Sequence, residues 1–158
     1  MIEIFTTGGT IDKVYFDALS EYQIGPAAVP DMLSENNVHA PHRVTQLLRK
    51  DSLDMTDADR AVIRMAVTKS DAAQILITHG TDTMVETARA LSGVKGKTIV
   101  LTGAMRPFSL YASDGEFNLG GAIVAAQLLA PGVWGVMNGR MFPAETLNKN
   151  VEQGRFDA

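Results

Sequence analysis

The feature that most constrains the fold of this 158-residue chain is a short apolar run that recurs along it and stops abruptly at a Gly, Thr or Asn. Four such runs cover residues 2–7, 74–78, 98–102 and 133–137, and a weaker one covers residues 43–49. Several are apolar at consecutive positions, as in Ile75-Leu76-Ile77, which favours strands that are covered on both faces. The pattern therefore predicts a sheet buried between two layers.

Helical patterns lie between the apolar runs. Three of them begin with a hydroxyl residue followed three positions later by an acidic one, as in a capping box; the pairs are Thr56 with Asp59, Thr83 with Glu86, and Ser113 with Glu116. A further helix is predicted over residues 27–35, and the tail after Asn148 is predicted to be weakly structured. The alternation predicts one α/β domain over residues 1–158, with a mostly parallel, doubly wound, flavodoxin-like sheet.

Composition and charge exclude several classes of function. A net charge of −4 disfavours nucleic acid as a partner, because phosphate binding needs a basic face. The absence of cysteine from the sequence excludes disulfides, thiolate metal sites and cysteine nucleophiles. No stretch is long and apolar enough to predict a membrane span, and the N-terminus lacks the pattern of a secretory signal. We expect a soluble protein of the cytoplasm.

The first cluster of candidate functional residues follows the first strand. The segment Thr7-Gly8-Gly9-Thr10 has two glycines where the backbone can turn sharply and bring N–H groups close to a ligand. Because doubly wound sheets bind ligands at the carboxyl ends of their strands, the Thr10 hydroxyl would lie at the binding edge. A plain strand-to-loop turn is the alternative interpretation.

The second cluster follows the apolar run at residues 74–78. Within it, Thr83 is interpreted as an N-cap and His79 as a hydrogen-bonded structural residue. Thr81 and Asp82 exceed what a cap needs, which favours a site near a helix N-terminus.

Lys149 is a third candidate. A lysine whose neutral form is accessible can take a proton from a threonine hydroxyl. In isolation, however, a lysine near a C-terminus is usually a solvated surface residue, and Tyr22 and Ser52 are equally unremarkable. Residue chemistry alone therefore leaves the roles of all three open.

Rival chemistries lack their motifs. The sequence contains neither the Gly-x-Ser-x-Gly elbow of a serine hydrolase nor a Gly-x-Gly-x-x-Gly dinucleotide fingerprint. Gly96-Lys97-Thr98 imitates the end of a phosphate-binding loop, but Leu91 occupies the position of the required first glycine. His39 and His42 flank a proline without a third ligand, so we expect loop histidines, no metal and no organic cofactor.

The two threonine clusters match a known family in the same order. Thr7-Gly8-Gly9-Thr10-Ile11 and His79-Gly80-Thr81-Asp82-Thr83-Met84 together resemble the two signature segments of the bacterial-type L-asparaginase family. Further matches are Asp51-Ser52 with Asp54-Met55-Thr56, the segment Thr102-Gly103-Ala104-Met105-Arg106-Pro107, and Asp114-Gly115 with Phe117-Asn118-Leu119. The resemblance covers the chain up to about Asn150 and implies amide hydrolysis without a cofactor and a homo-oligomeric assembly.

The resemblance also implies roles for individual residues. Thr10 would be the nucleophile in a mobile loop, with Tyr22 beside it to manage its proton. Ser52 would bind the α-carboxylate of the substrate, and Asp82 would bind its α-amino group. Asp51 lies next to Ser52 and would help to hold the same amino-acid head.

A second group of roles concerns the remaining chemistry. Thr81, Asp82 and Lys149 would form a second hydroxyl–base cluster that activates water. Backbone N–H groups near Thr81 and Ala104 would stabilise the oxyanion. The family has also been discussed as using direct water attack at the second threonine, and the sequence does not decide between the two routes.

Two departures from the family pattern affect these expectations. Usual members are about twice as long, with a second, smaller domain that supplies an acidic residue to the site across a dimer interface. Either another element substitutes for that residue, or substrate binding is weak, or the chain is a truncated form. Leu53 stands where periplasmic members carry a glutamine that contacts the substrate amino group, so we expect weaker binding and low glutaminase activity.

The resemblance therefore implies an L-asparaginase that converts L-asparagine to L-aspartate and ammonia. Two alternatives remain. The chain could hydrolyse glutamine or another amide, including as a subunit of a tRNA-dependent amidotransferase, although its net charge disfavours a nucleic-acid surface. It could instead be a non-catalytic amino-acid-binding module.

Overall fold

A computed structural model describes residues 1–157, and six of its strands form one sheet. The strands, in chain order, are β1 (Ile2–Gly8), β2 (Lys13–Phe16), β3 (Glu21–Ile24), β4 (His42–Lys50), β5 (Gln74–Thr78), β6 (Thr98–Thr102), β7 (Gly132–Met137), β8 (Arg140–Pro143), β9 (Asn148–Asn150) and β10 (Arg155–Asp157). All five apolar runs of the sequence form strands of the main sheet. The weaker prediction at residues 43–49 is thus confirmed by β4.

The main sheet has the order β4-β1-β5-β6-β7-β8. Its first five strands are parallel, and β8 is antiparallel to β7 at the edge. Counting the parallel strands alone along the chain gives the order 2-1-3-4-5, which is that of flavodoxin-like sheets. The predicted fold class is confirmed. The chain adds β4 on one side of β1 and then β5 on the other side. Flavodoxin-like folds bind their ligands at such a switch in strand order.

Four helices cover the two faces of the sheet. They are α1 (Val29–Glu35), α2 (Asp57–Lys69), α3 (Met84–Ala90) and α4 (Gly115–Leu128). Successive strand residues point to opposite faces, so Ile75 and Ile77 join the core beneath α2 and α3, whereas Leu76 joins the core beneath α1 and α4. Both faces of β5 are therefore buried, as the unbroken apolar runs predicted.

The capping predictions were confirmed at one helix and wrong at two. Thr56 caps α2 with a complete capping box that it shares with Asp59. Thr83 stands at the N-cap position of α3, but its hydroxyl donates to the carbonyl oxygen of Ser52 and caps nothing. At α4 the N-cap residue is Asp114, so Ser113 stands one position too early. Its hydroxyl donates to the carbonyl oxygen of Arg106 and accepts from the N–H of Gly115, and it forms no capping box with Glu116.

The tail is better ordered than the sequence predicted. Strands β9 and β10 pair as an antiparallel hairpin, and Phe156 at its centre is buried in the core beneath α2 and α3. The prediction of a weakly structured tail was wrong because burial of one aromatic side chain anchors the hairpin. The hairpin carries Lys149, opposite Phe156. Among residues 1–157, no helix has the length and apolar character that a membrane crossing requires.

Candidate active site

Four loops meet at the carboxyl edge of the sheet because glycines let their backbones touch. Gly8 ends β1 and Gly9 follows it, with φ of +99° and +87°, a region of backbone conformation that residues other than glycine rarely adopt. A Cβ on Gly8 would collide with the backbone of Lys50, and one on Gly9 would collide with the backbone of Gly80. The loops after β1, β4 and β5 are therefore in direct backbone contact.

The fourth loop joins in the same way. A Cβ on Gly103, just after β6, would collide with the carbonyl oxygen of His79. A Cβ on Gly80 would lie only 2.6 Å from the side chain of Ser52. The glycines of the recognised motifs thus serve close approach between loops, and the approach gathers residues that lie far apart along the chain.

Thr10 begins a single turn of 3₁₀ helix, Thr10–Asp12, directly after the two glycines. The turn is held by an Ala28 N–H that donates to the Asp12 carboxylate at 2.8 Å and by the Phe108 N–H, which donates to the carbonyl of Ile11 at 3.3 Å. The Thr10 side chain is half-buried, and its hydroxyl makes no hydrogen bond with any of residues 1–157. The sequence thus holds a free hydroxyl on a firmly anchored turn.

The second threonine, the aspartate and the distant lysine come together. The Lys149 ammonium, reaching over from β9, donates to the Thr81 hydroxyl at 2.9 Å and to the Asp82 carboxylate at 2.7 Å. Thr81 is buried, and Lys149 is mostly so, whereas Asp82 is half-exposed. The 2.9 Å separation is short enough for a proton to pass between the Thr81 oxygen and the Lys149 nitrogen, so the geometry is suited to proton transfer.

Ser52 lies beneath the same group. It is buried, its hydroxyl accepts from the Thr83 N–H at 3.3 Å, and its carbonyl oxygen accepts from the Thr83 hydroxyl at 2.8 Å. These two bonds fasten the loop after β4 to the start of α3. The neighbouring Asp51 carboxylate accepts from the Leu53 N–H at 3.0 Å and lies 3.6 Å from the Lys13 ammonium.

Backbone N–H groups at this edge include some without a partner among residues 1–157. The N–H groups of Thr81 and of the buried Ala104 donate to no atom of residues 1–157. Most buried N–H groups are paired, so an unpaired one at a ligand-binding edge is a candidate donor to a ligand. The same position suits an oxyanion.

The Ala104 turn is held by the carboxylate of Asp114. This carboxylate accepts from the N–H groups of Met105 and Arg106 at 3.0 Å and from the side-chain amides of Asn118 and Asn138. Burial acts to raise the pKa of Asp114, but the donated hydrogen bonds outweigh it and hold that pKa below its ordinary value. Asp114 is therefore a stable anion that fixes the turn.

His79 is a structural residue, as predicted. It is fully buried, and its ring nitrogens lie 2.7 Å from the Gly80 carbonyl oxygen and 2.7 Å from the Thr87 hydroxyl. Desolvation lowers the pKa of His79 to about 4, so the ring is neutral at physiological pH. A neutral ring with both nitrogens engaged has no free position for a ligand.

Tyr22 lies on β3, in the hairpin that begins at Lys13. Its ring packs edge to face against Tyr15, with the centroids 5.5 Å apart, and Tyr22 as a whole is 44% exposed. Within residues 1–157 its hydroxyl has no hydrogen-bond partner. The proximity of Tyr22 to Thr10 stays a prediction.

Asp12, the last residue of the turn, has a carboxyl group whose pKa is raised. It is buried beside Ala28, and desolvation raises its pKa to about 6, although the Ala28 hydrogen bond and the charge of Arg49 oppose the rise.

Among residues 1–157, no three His, Asp or Glu side chains converge as a metal ion would require.

Comparison with known proteins places this arrangement in a family. The model of the asparaginase N-terminal domain matches residues 1–158. The chain belongs to the asparaginase family. L-asparaginase 2 of Escherichia coli strain K12 is 36% identical over 165 residues, covering 94% of this chain and 46% of that protein. The glutaminase-asparaginase of Acinetobacter glutaminasificans is 32% identical over 164 residues, covering 95% and 50%.

The structural comparison agrees. The crystal structure of L-asparaginase I from Vibrio cholerae matches with a TM-score of 0.84 and 29% identity, covering 99% of this chain and 50% of that one. The fold is therefore that of the asparaginase N-terminal domain. This chain spans about half the length of the curated relatives it matches.

Sequence reasoning missed two residues of this asparaginase-family site, Lys13 and Asp12. Lys13 lies three positions after Thr10, and residues three apart on a 3₁₀ turn share one side, so the spacing could have pointed to it. Asp12 had no signal in the sequence, because its perturbation comes from Ala28 and Arg49, which only the fold brings near.

Proposed function

We propose that this asparaginase-family chain hydrolyses the side-chain amide of L-asparagine to L-aspartate and ammonia, with Thr10 as the nucleophile. The observation that carries the proposal is the meeting of two loops. The glycine turn that bears Thr10 abuts the loop in which Thr81 is hydrogen-bonded to Lys149. An amide is a poor electrophile, and the arrangement supplies both an oxygen nucleophile and a proton-transfer group.

In the first half of the reaction, the Thr10 oxygen attacks the carboxamide carbon. The hydroxyl proton passes, with the help of Tyr22, to the departing nitrogen, and the C–N bond breaks to release ammonia. The unpaired N–H groups of Thr81 and Ala104 are the proposed donors to the oxyanion. Their freedom from protein partners supports this role.

In the second half, water attacks the resulting ester carbon. The Thr81 oxygen takes a proton from the water as its own hydroxyl proton passes to the Lys149 amine, and a proton returns from this pair to the Thr10 oxygen as the ester C–O bond breaks. Direct attack of water activated at Thr81, without an ester, is the competing route. Trapping a covalent adduct on Thr10 would separate the two.

The amino-acid head would be held on the opposite side of the carboxamide. We assign the α-carboxylate to Ser52 and the α-amino group to the Asp82 carboxylate, with Asp51 beside them. The half-exposure of Asp82 supports the assignment, because a fully enclosed carboxylate would be closed to a substrate. Leu53 is 70% exposed and offers no polar group, which supports weak binding of the amino group and low glutaminase activity.

Three further expectations remain proposals. We propose a homo-oligomer in the cytoplasm that needs no cofactor. An exposed apolar strip on and beside α4, formed by Phe117, Val124, Leu128 and Met141, supports the homo-oligomer because such a strip favours burial against another surface. Sedimentation of the purified chain, with Leu128→Glu as the variant expected to shift it toward monomer, measures the assembly.

The proposed activity is tested by ammonia release from L-asparagine and L-glutamine, with Thr10→Ala and Lys149→Met as inactive controls. The exposed Thr68 on α2 and the exposed Lys95 provide matched Thr→Ala and Lys→Met substitutions that should leave activity unchanged. Comparable kcat/KM for the two amides would contradict the specificity and favour a glutaminase, a class that the Acinetobacter relative's name includes. Binding of L-asparagine without turnover would favour an amino-acid-binding module.

A further inference from the structure

The candidate active site has two lysine–aspartate pairs, one on each side of the meeting loops. Lys149 and Asp82 are 2.7 Å apart, within the range of a tight charge-assisted hydrogen bond. Lys13 and Asp51 are 3.6 Å apart, which is too long for such a bond. The side chains of this second pair are 29% and 33% exposed, so it is both loose and accessible.

The backbone of Lys13 is fixed to the turn that carries Thr10. Its N–H donates to the carbonyl oxygen of Thr10, and its own carbonyl oxygen accepts from the Ser109 hydroxyl at 2.7 Å. The ammonium at the end of the side chain therefore starts from a well-defined point. Any ligand that it binds is placed relative to the Thr10 hydroxyl.

The Asp51 carboxylate is fixed on one side only. One oxygen accepts from the Leu53 N–H at 3.0 Å, and the other faces the Lys13 ammonium. Asp51 adjoins Ser52, which packs against Gly80 and bonds to Thr83. Asp51 therefore lies on the loop after β4, next to a residue that contacts the loop after β5, and its second oxygen has only the loose contact with Lys13 among residues 1–157.

Neighbouring cations are engaged elsewhere. The Lys50 ammonium pairs with Asp59 at 2.9 Å, at the start of α2. The Arg49 guanidinium donates to the carbonyl oxygen of Ile24 at 2.9 Å. Of the basic residues at the ends of β2 and β4, Lys13 is thus the one whose ammonium lies beside Asp51, the residue that precedes Ser52.

We propose that Lys13 and Asp51 form a clamp for the charged head of a free amino acid, with Lys13 binding its α-carboxylate together with Ser52, and Asp51 binding its α-amino group together with Asp82. This inference rests on the proposed function and adds a specificity-determining residue to it. A zwitterion presents opposite charges a few ångströms apart, and the loose pair presents the complementary charges at 3.6 Å. The substrate exchanges a weak ion pair for two closer ones.

The clamp makes a sharp prediction about substrate charge. L-asparaginamide carries a neutral amide where L-asparagine carries its α-carboxylate. Lys13→Met should lower kcat/KM for L-asparagine about 10- to 100-fold, the usual effect of losing a hydrogen bond to a charged group. It should change kcat/KM for L-asparaginamide by less than about twofold, because that substrate has no anion for Lys13 to bind.

Two further variants test whether the effect comes from loss of the Lys13 charge. Lys13→Arg keeps the charge and should retain kcat/KM for L-asparagine within about fivefold. Lys13→Gln is the second neutral variant and decides the matter if Lys13→Met fails to fold, as judged by circular dichroism and thermal unfolding. Lys95→Met, at an exposed lysine outside the site, is the matched control and should alter neither substrate.

Calorimetric binding of L-aspartate, the product, separates this inference from the proposed function. The neutral variants should raise the Kd of L-aspartate at least tenfold, whether or not the protein turns over an amide. Equal losses for L-asparagine and L-asparaginamide, or an unchanged Kd for L-aspartate, would overturn the clamp while leaving hydrolysis intact. Binding of L-aspartate that depends on Lys13, without any ammonia release, would support the clamp and sink the proposed function.

Discussion

The amino edge and the carboxyl edge of the sheet both carry buried polar groups, but those at the amino edge find their partners within the protein. The buried Glu3 carboxylate accepts from Arg43 and lies 3.4 Å from the hydroxyl of Ser70. The Lys97 ammonium donates to two backbone carbonyl oxygens at 2.7 Å each. These charges are paired as a stable structure requires.

At the carboxyl edge, several polar groups have no hydrogen-bond partner among the described residues. The Thr10 hydroxyl and the N–H groups of Thr81 and Ala104 have no partner among residues 1–157, and the Lys13–Asp51 pair is loose. Buried polar groups without partners cost stability unless something satisfies them. The polar groups of the amino edge thus stabilise the fold, whereas those of the carboxyl edge need a ligand to complete their hydrogen bonds.

The largest expected contrast comes from one substitution at each edge. Thr10→Ala should reduce ammonia release by about 1,000-fold or more. It should leave the free energy of unfolding within about 0.5 kcal/mol of the wild-type value, because the Thr10 hydroxyl makes no hydrogen bond with any of residues 1–157. Glu3→Gln should lower the free energy of unfolding by about 2 kcal/mol, through its bond to Arg43, and spare activity. Urea unfolding and kinetics measure both; a stability loss in Thr10→Ala with full activity would reverse the comparison.

A pair of lysines gives the next contrast. Lys149→Met should lower kcat about 100-fold, the typical contribution of a proton-transfer group. Lys97→Met removes two bonds to carbonyl oxygens and should cost about 1–3 kcal/mol of unfolding free energy with kcat unchanged. If the two lysines exchanged these effects, the division between the edges would be wrong.

Asp12 tests whether a poorly paired charge at the carboxyl edge destabilises the fold. Its folded pKa, about 6, lies above the ordinary 3.8, so the folded protein holds the proton more tightly than the unfolded chain. Wild-type stability should therefore fall as pH rises from about 4 to about 6. Asp12→Asn keeps an oxygen for the Ala28 N–H and should escape this loss, gaining at most about 3 kcal/mol at pH 8.

Unfolding measured at pH 4 and pH 8 checks this. The variant and the wild type should be similar at pH 4 and diverge at pH 8. If the difference in unfolding free energy between wild type and variant were the same at pH 4 and pH 8, the Asp12 carboxylate would have a compensating partner.

The smallest effect is expected at Leu53. Leu53→Gln adds one hydrogen-bonding group at an exposed position and should lower KM for L-asparagine by about two- to tenfold, with stability unchanged. Steady-state kinetics on both amides measure it. An unaltered KM would mean that position 53 points away from the bound head.

The fold could be predicted from the sequence because strands β1, β5, β6 and β7 are marked by apolar runs that end in Gly, Thr or Asn, and β4 by a weaker run at residues 43–49. Burial of the strands on both faces follows from the same runs. The short hairpin of β9 and β10 could not be predicted, because it depends on the burial of Phe156 and on contacts such as Lys149 with Asp82, which only the fold creates. Local capping signals failed at Thr83 because its hydroxyl bonds to Ser52, which is distant in sequence, and at Ser113 because α4 begins one residue later than the signal predicts.

The candidate site was predictable where family motifs mark it and unpredictable where only the fold creates it. Thr81, Asp82 and Lys149 were predicted as one cluster and do meet. The spacing from Thr10 could have pointed to Lys13, but nothing in the sequence places Asp51, on another loop, beside its ammonium. Pairings across loops arise from strand order, which the residues of a single loop do not encode.

The most direct test of the account is a crystal structure of the protein with L-aspartate bound. The account predicts the side-chain carboxylate of the ligand between the hydroxyls of Thr10 and Thr81, each within about 3.5 Å, with Lys149 in contact with Thr81. A ligand bound elsewhere, or the two hydroxyls directed into separate regions, would contradict it.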